Sequence, residues 1–125
     1  MKLTAGVLAA SLATAASAGA LEECMIRGDT PAVTHCLVDA DKEAQALLIK
    51  AEGDAGKKAR DIDVATGRSG TAAALAKSMR AFSDYRKVQC DYVRAVYGSG
   101  AGADQAQLAC IVDLNRRRVR DLLQN

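Results

Sequence analysis

The stretch running from Cys90-Asp91-Tyr92 through Gly98-Ser99-Gly100-Ala101-Gly102 to Leu108-Ala109-Cys110 decides how this chain folds. Its flanks read as helix, one from about Thr71 to Tyr97 and the other from about Ala103 to Leu123. The glycine-rich centre is a loop signal. If it turns the flanks back antiparallel, residues equidistant from Gly100 face each other. Cys90 and Cys110 are both ten residues from Gly100. Their sulfurs then meet about two helical turns from the loop, which predicts a disulfide-locked αα-hairpin. Such a bond persists only in an oxidising compartment.

The N-terminus agrees with that compartment. Met1-Lys2 carries one positive charge, Leu3 to Ala16 is an apolar, alanine-rich run, and Ala16-Ser17-Ala18 supplies small residues for a signal peptidase. Ala18-Gly19-Ala20 is a second option. The run is too short for a permanent membrane anchor. Residues 1–20 are therefore expected to be a cleaved secretory signal, cut after Ala18 or Ala20, and residues 21–125 a single domain. A lipid on Cys24 is disfavoured, because Glu22-Glu23 precede it where a lipidated cysteine needs small residues. The expected location is periplasmic or secreted.

All four cysteines lie beyond the leader, the pattern of a two-disulfide framework in a small exported chain. The hairpin takes Cys90 and Cys110, which leaves Cys24 for Cys36. The core is thin, with one Phe and no Trp. Each bridge, at roughly 3 kcal/mol, is therefore comparable with the stability of the whole domain.

Asp29-Thr30-Pro31 is a helix start, a capping side chain followed by proline in the first turn. From there Val33, Leu37, Ala40, Ala44, Leu47/Leu48 and Ala51 recur at helical spacing. Ala55, Ala59, Ile62 and Ala65 continue the pattern past Gly53 and Gly56, where a kink is expected. Leu21 to Arg27 forms a short preceding turn, and Thr66 to Gly70 a loop. The third helix places Leu75, Met79, Phe82, Arg86, Cys90, Val93 and Tyr97 on one face. The fourth places Leu108, Ile111, Leu114, Arg118 and Leu122. No stretch alternates with period two. The fold class is all-α, a small disulfide-stabilised helical bundle with a C-terminal αα-hairpin.

Composition narrows the function. Without Lys2 the chain has 16 basic and 15 acidic residues, too balanced for a nucleic-acid binder. Arg116-Arg117-Arg118 with Arg120 spreads around a helix instead of forming a stripe. One histidine, His35, and four oxidised cysteines do not make a zinc site, and no phosphate-binding loop is present. No catalytic residues, metal ligands or cofactor site are expected, so the chain reads as a non-enzyme.

Residues 72–90, from Ala72-Ala73-Ala74-Leu75 through Phe82-Ser83-Asp84-Tyr85-Arg86 to Cys90, resemble the signature A-L-x-x-S-Q-x-x-W-x-x-Y-R-x-x-x-C of the LprI-like lysozyme inhibitor family of exported bacterial proteins. The loop at Gly98 to Gly102, Cys110, and Asn115, Arg118 and Leu122 follow in register. Phe82 stands where the family has Trp, Met79 where it has Gln, and Asn115 where it has Thr. The resemblance implies a secreted or periplasmic binding protein whose partner is a lysozyme or another envelope protein. The alternative is an envelope structural or stress protein without lysozyme activity. A cell-wall hydrolase is a third reading, without a credible acid/base pair.

Phe82, Tyr85, Arg86, Arg118 and Leu122 read as a folding signature. Phe82 is expected to be a buried plug whose loss costs about 3–5 kcal/mol. Arg86 and Arg118 would pack their stems on its ring with their heads near Asp84 or Asp121. Arg68, Ser69 and Ser99, in the two interhelical loops, are the candidate partner contacts.

Overall fold

A computed structural model describes residues 19–125, so the leader reading for residues 1–18 lies outside the described residues. Four helices follow one another: α1 (Ala20–Met25), α2 (Thr30–Thr66), α3 (Thr71–Tyr97) and α4 (Ala101–Gln124). No strand occurs among the described residues. The bundle is all-α, and both disulfides pair as expected, Cys24 with Cys36 and Cys90 with Cys110, each with Cα atoms 5.6 Å apart.

Local chemistry accounts for the boundaries. Asp29 caps α2, its side chain accepting from the Ala32 amide at 2.8 Å, with Pro31 in the first turn. The helix then runs 37 residues unbroken to Gly67, whose φ of 65° ends it in the left-handed conformation. The kink expected at Gly53 and Gly56 does not develop into a break. Two helical glycines weaken α2 by about 1 kcal/mol each relative to alanine, and packing along its length outweighs that. The second loop is tighter than expected. Gly98 and Gly100 adopt φ of 84° and 88°, and α4 starts at Ala101, so Ala101 and Gly102 are helical.

α4 is the central element. It touches all three other helices and packs more extensively on α2 than on α3. Its buried residues are Ala103, Ala106, Ala109, Val112, Leu114 and Asn115. Of the expected series Leu108, Ile111, Leu114, Arg118 and Leu122, only Leu114 is among them, and the other four are half-buried at the edge of that face. Against that face α2 buries Val33, Leu37, Ala44, Leu48, Ala51 and Ala59. α1 closes one end through Ala20 and Cys24. On α3 only Cys90 is fully buried, and Leu75, Met79, Phe82, Arg86 and Val93 are half-buried. Tyr97, placed on the core face from spacing, is exposed. α3 therefore leans on the other helices and does not form half of the core.

The start of α3 is held from outside. Gly70 precedes it and offers no capping side chain. Asp63, on the last turns of α2, does so instead, accepting from the Thr71 amide at 3.0 Å and the Ala72 amide at 3.1 Å. These bonds, led by that from Ala72, hold its carboxyl below the ordinary aspartate value of 3.8. A depressed carboxyl contributes stability above its unfolded value and loses it as pH falls through the folded one. Asp63→Ala should therefore melt below the parent at neutral pH, with the gap closing below about pH 4. Parallel thermal melts across pH check this, and an unchanged gap at acid pH would remove the capping role. The Cys90–Cys110 bridge spans 20 residues. Replacing both cysteines by serine should lower unfolding free energy by about 3 kcal/mol, read as a shifted urea midpoint.

Candidate functional site

Three of the signature residues, Phe82, Arg86 and Arg118, converge with Asn115 on the α3–α4 seam, one to two turns from the Cys90–Cys110 bridge. The bridge sets the register, so Arg86 on α3 comes level with Asn115 on α4. Its Nη1 donates to Asn115 Oδ1 at 2.6 Å. Asn115 is 0% exposed and the only buried polar residue among those described. A buried amide needs partners, and Arg86 supplies one. Asn115 Nδ2 and Arg118 Nε remain without a protein partner.

The guanidinium groups of Arg86 and Arg118 lie over the Phe82 ring, 5.4 and 5.6 Å from its centroid. Each gains from the electron-rich ring face. The heads themselves lie over the ring, where the stems were expected, and they do not go to Asp84 or Asp121. Arg118 Nη2 donates to Ser78 Oγ at 2.8 Å, and Arg86 goes to Asn115. Phe82 is half-buried, so it is a lid on the seam and not a plug inside it. Leu122 lines the groove between α2 and α3 together with Ile62 and Leu75. Tyr85 turns away from this cluster and is exposed.

Asn115 was matched only as a stand-in for threonine. Its place in the series Leu108, Val112, Asn115, Val119 and Leu122 was the available signal, a polar residue at an inward helical position. The basic run is also partly absorbed. Arg116 pairs with Glu23 at 2.9 Å, and Arg117 and Arg120 are exposed. His35 is exposed and pairs with Asp39 at 3.3 Å. No group of three metal-binding side chains occurs among the described residues, nor a helix long and apolar enough to cross a membrane.

The candidate contact residues sit at the two ends of α3, which spans about 40 Å. Arg68 and Ser69 occupy the exposed tip between Gly67 and Gly70. The tip is braced by Thr66, whose Oγ1 donates to the Ile62 carbonyl at 2.8 Å and accepts from the Arg68 amide at 3.3 Å. Ser99 occupies the opposite turn. One narrow cleft therefore cannot take both loops. Spacing puts Val88, Tyr92 and Val96 beside the apolar face of α3, but they form an exposed row with Tyr85. Tyr85, Val88, Tyr92 and Val96, at helical intervals, are each between 50% and 64% exposed. Together they present roughly 400 Å² of mostly apolar surface, within the range of functional patches on monomers.

No curated protein and no solved structure matches this chain. The family model described as lysozyme inhibitor LprI matches residues 23–122, which includes both disulfides, the Phe82–Arg86–Arg118 cluster and both loops. On that match, the chain belongs to the LprI family.

Proposed function

We propose that this protein is an exported, non-enzymatic lysozyme inhibitor that acts by binding the enzyme. The observation carrying this reading is the family match across residues 23–122. Two disulfides support export, since they persist in the periplasm or outside the cell. The mature form is read as unlipidated, with Cys24 engaged to Cys36.

A lysozyme cleft holds two carboxyl groups, and a small rigid projection with a cationic or hydrogen-bonding tip suits it. The 67–70 loop has that form, short and braced, with Arg68 and Ser69 at its tip. Ser99 offers an uncharged tip at the other end. The α3 row is the second candidate surface. Tyrosine supplies large contact area at low entropic cost and is enriched at binding hot spots. With formal charge near zero, the chain gains little long-range steering toward a basic enzyme, so inhibition should respond weakly to ionic strength.

Clearing of a cell-wall suspension, with and without lysozyme, separates the readings. Slower clearing supports inhibition. No effect supports the envelope structural or stress role, and clearing by the protein alone supports a hydrolase. Within the inhibitor reading, Arg68→Ala should weaken inhibition at least tenfold while stability stays within about 0.5 kcal/mol of the parent. If the loop variants at Arg68, Ser69 and Ser99 inhibit normally and Tyr85→Ala/Tyr92→Ala does not, the contact surface is the α3 row. Phe82→Ala reports on the scaffold. Half-burial lowers its expected cost to about 2–3 kcal/mol, below the fully buried range, and denaturant unfolding measures it.

A further inference from the structure

The N-terminal end of the described chain is closely packed. Ala20 is 0% exposed and belongs to the main core cluster with Cys24, Leu37 and Val112. Its amide donates to Asp113 Oδ1 on α4 at 2.9 Å, and the Gly19 carbonyl accepts from the Glu23 amide at 3.1 Å. A leader cut after Ala20 would delete a core residue and both bonds. α1 has only six residues, too few to hold a helix without such docking. A cut after Ala18 keeps all of it.

The surroundings of Gly19 carry a second, independent observation. A Cβ built on Gly19 would lie 2.9 Å from Asp113 Oδ2 and 2.9 Å from Glu22 Oε2. Only glycine fits without displacing those carboxylates. Its backbone nitrogen is about 2.5 Å from that Cβ position, hence within about 5.4 Å of both oxygens. Among the described residues no basic side chain forms an ion pair with Asp113 or Glu22. The neighbouring Glu23 is taken by Arg116 at 2.9 Å. Two carboxylates thus lie near one backbone nitrogen, and no basic side chain among the described residues pairs with either.

We infer that the leader is removed between Ala18 and Gly19, and that the α-ammonium created there is a structural cation held between Asp113 and Glu22. Hydrolysis of the Ala18–Gly19 peptide bond releases the leader carboxylate and leaves the protonated amine on Gly19. The uncleaved chain has an uncharged amide nitrogen at that point, so processing itself completes the contact between α1 and α4. This inference rests on the export reading.

Intact-mass measurement of the exported, disulfide-bonded protein should give a chain starting at Gly19. A start at Leu21 would overturn the inference and leave export standing, whereas a chain still carrying residues 1–18 would overturn both. The ion pair is tested separately on the processed protein. N-α-acetylation should lower the melting temperature by about 2–5 °C, the scale of a partly exposed ion pair in a domain of this size. Asp113→Asn keeps the acceptor for the Ala20 amide and removes only charge. It should produce a similar loss, and acetylation on top of it should add little. Full additivity, or no shift on acetylation, would show that the ammonium is not held there.

Discussion

The Cys90–Cys110 bridge is the constraint on which the rest of the C-terminal half depends. Its two ends lie on helices joined by a three-residue turn, so the bond fixes axial register and rotation together. Arg86 then has to meet Asn115, and Arg118 has to reach Ser78 and Phe82. A shift of one residue on either helix would rotate these groups by about 100° and separate them. The Cys24–Cys36 bridge does a smaller job of the same kind, holding a six-residue helix against one of 37. Hydrophobic burial stabilises the assembly, and the covalent links choose which assembly is stabilised.

The hairpin, the disulfide pairing and the helical class were legible because each rests on a short-range rule with few solutions. Cysteines equidistant from a glycine turn have one natural partner. The dominance of α4 was not legible. Half of its buried face is Ala103, Ala106 and Ala109, which carry almost no hydropathy contrast, so the larger Leu108 and Ile111, half-buried at its edge, drew the reading away from its centre. Polar positioning was also hidden. Asp63 caps the helix that follows its own, across a loop, and Asp113 serves the start of a helix remote in sequence, and no local pattern announces either role. The heads of Arg86 and Arg118 were expected at carboxylates because charge pairing is the simplest rule. The seam offers them an amide and a hydroxyl.

The family residues divide into those that build and those that are presented. Phe82, Arg86, Arg118 and Asn115 are consumed in the α3–α4 seam, and Leu122 lines the neighbouring groove. Tyr85 belongs to the same sequence signature but faces outward at the head of an exposed row. A motif read as one unit thus contains two kinds of residue, and only their placement in three dimensions separates them. The loop tips at Arg68 and Ser99 stand at opposite ends of a rigid rod, so any partner must choose an end or lie along the side.

The alanine lining between α2 and α4 has a further consequence for how this domain tolerates change. Helices that meet through methyl groups approach closely and leave no slack. Almost any substitution at Ala44, Ala51, Ala103, Ala106 or Ala109 adds volume at a buried contact. Overpacking of that kind costs about 1–3 kcal/mol per site. In a core dominated by leucine, drift can swap one branched side chain for another of similar size, but here glycine and serine are the only comparably small alternatives. Room for substitution is thereby left mainly at the exposed loop tips and on the exposed side of α3.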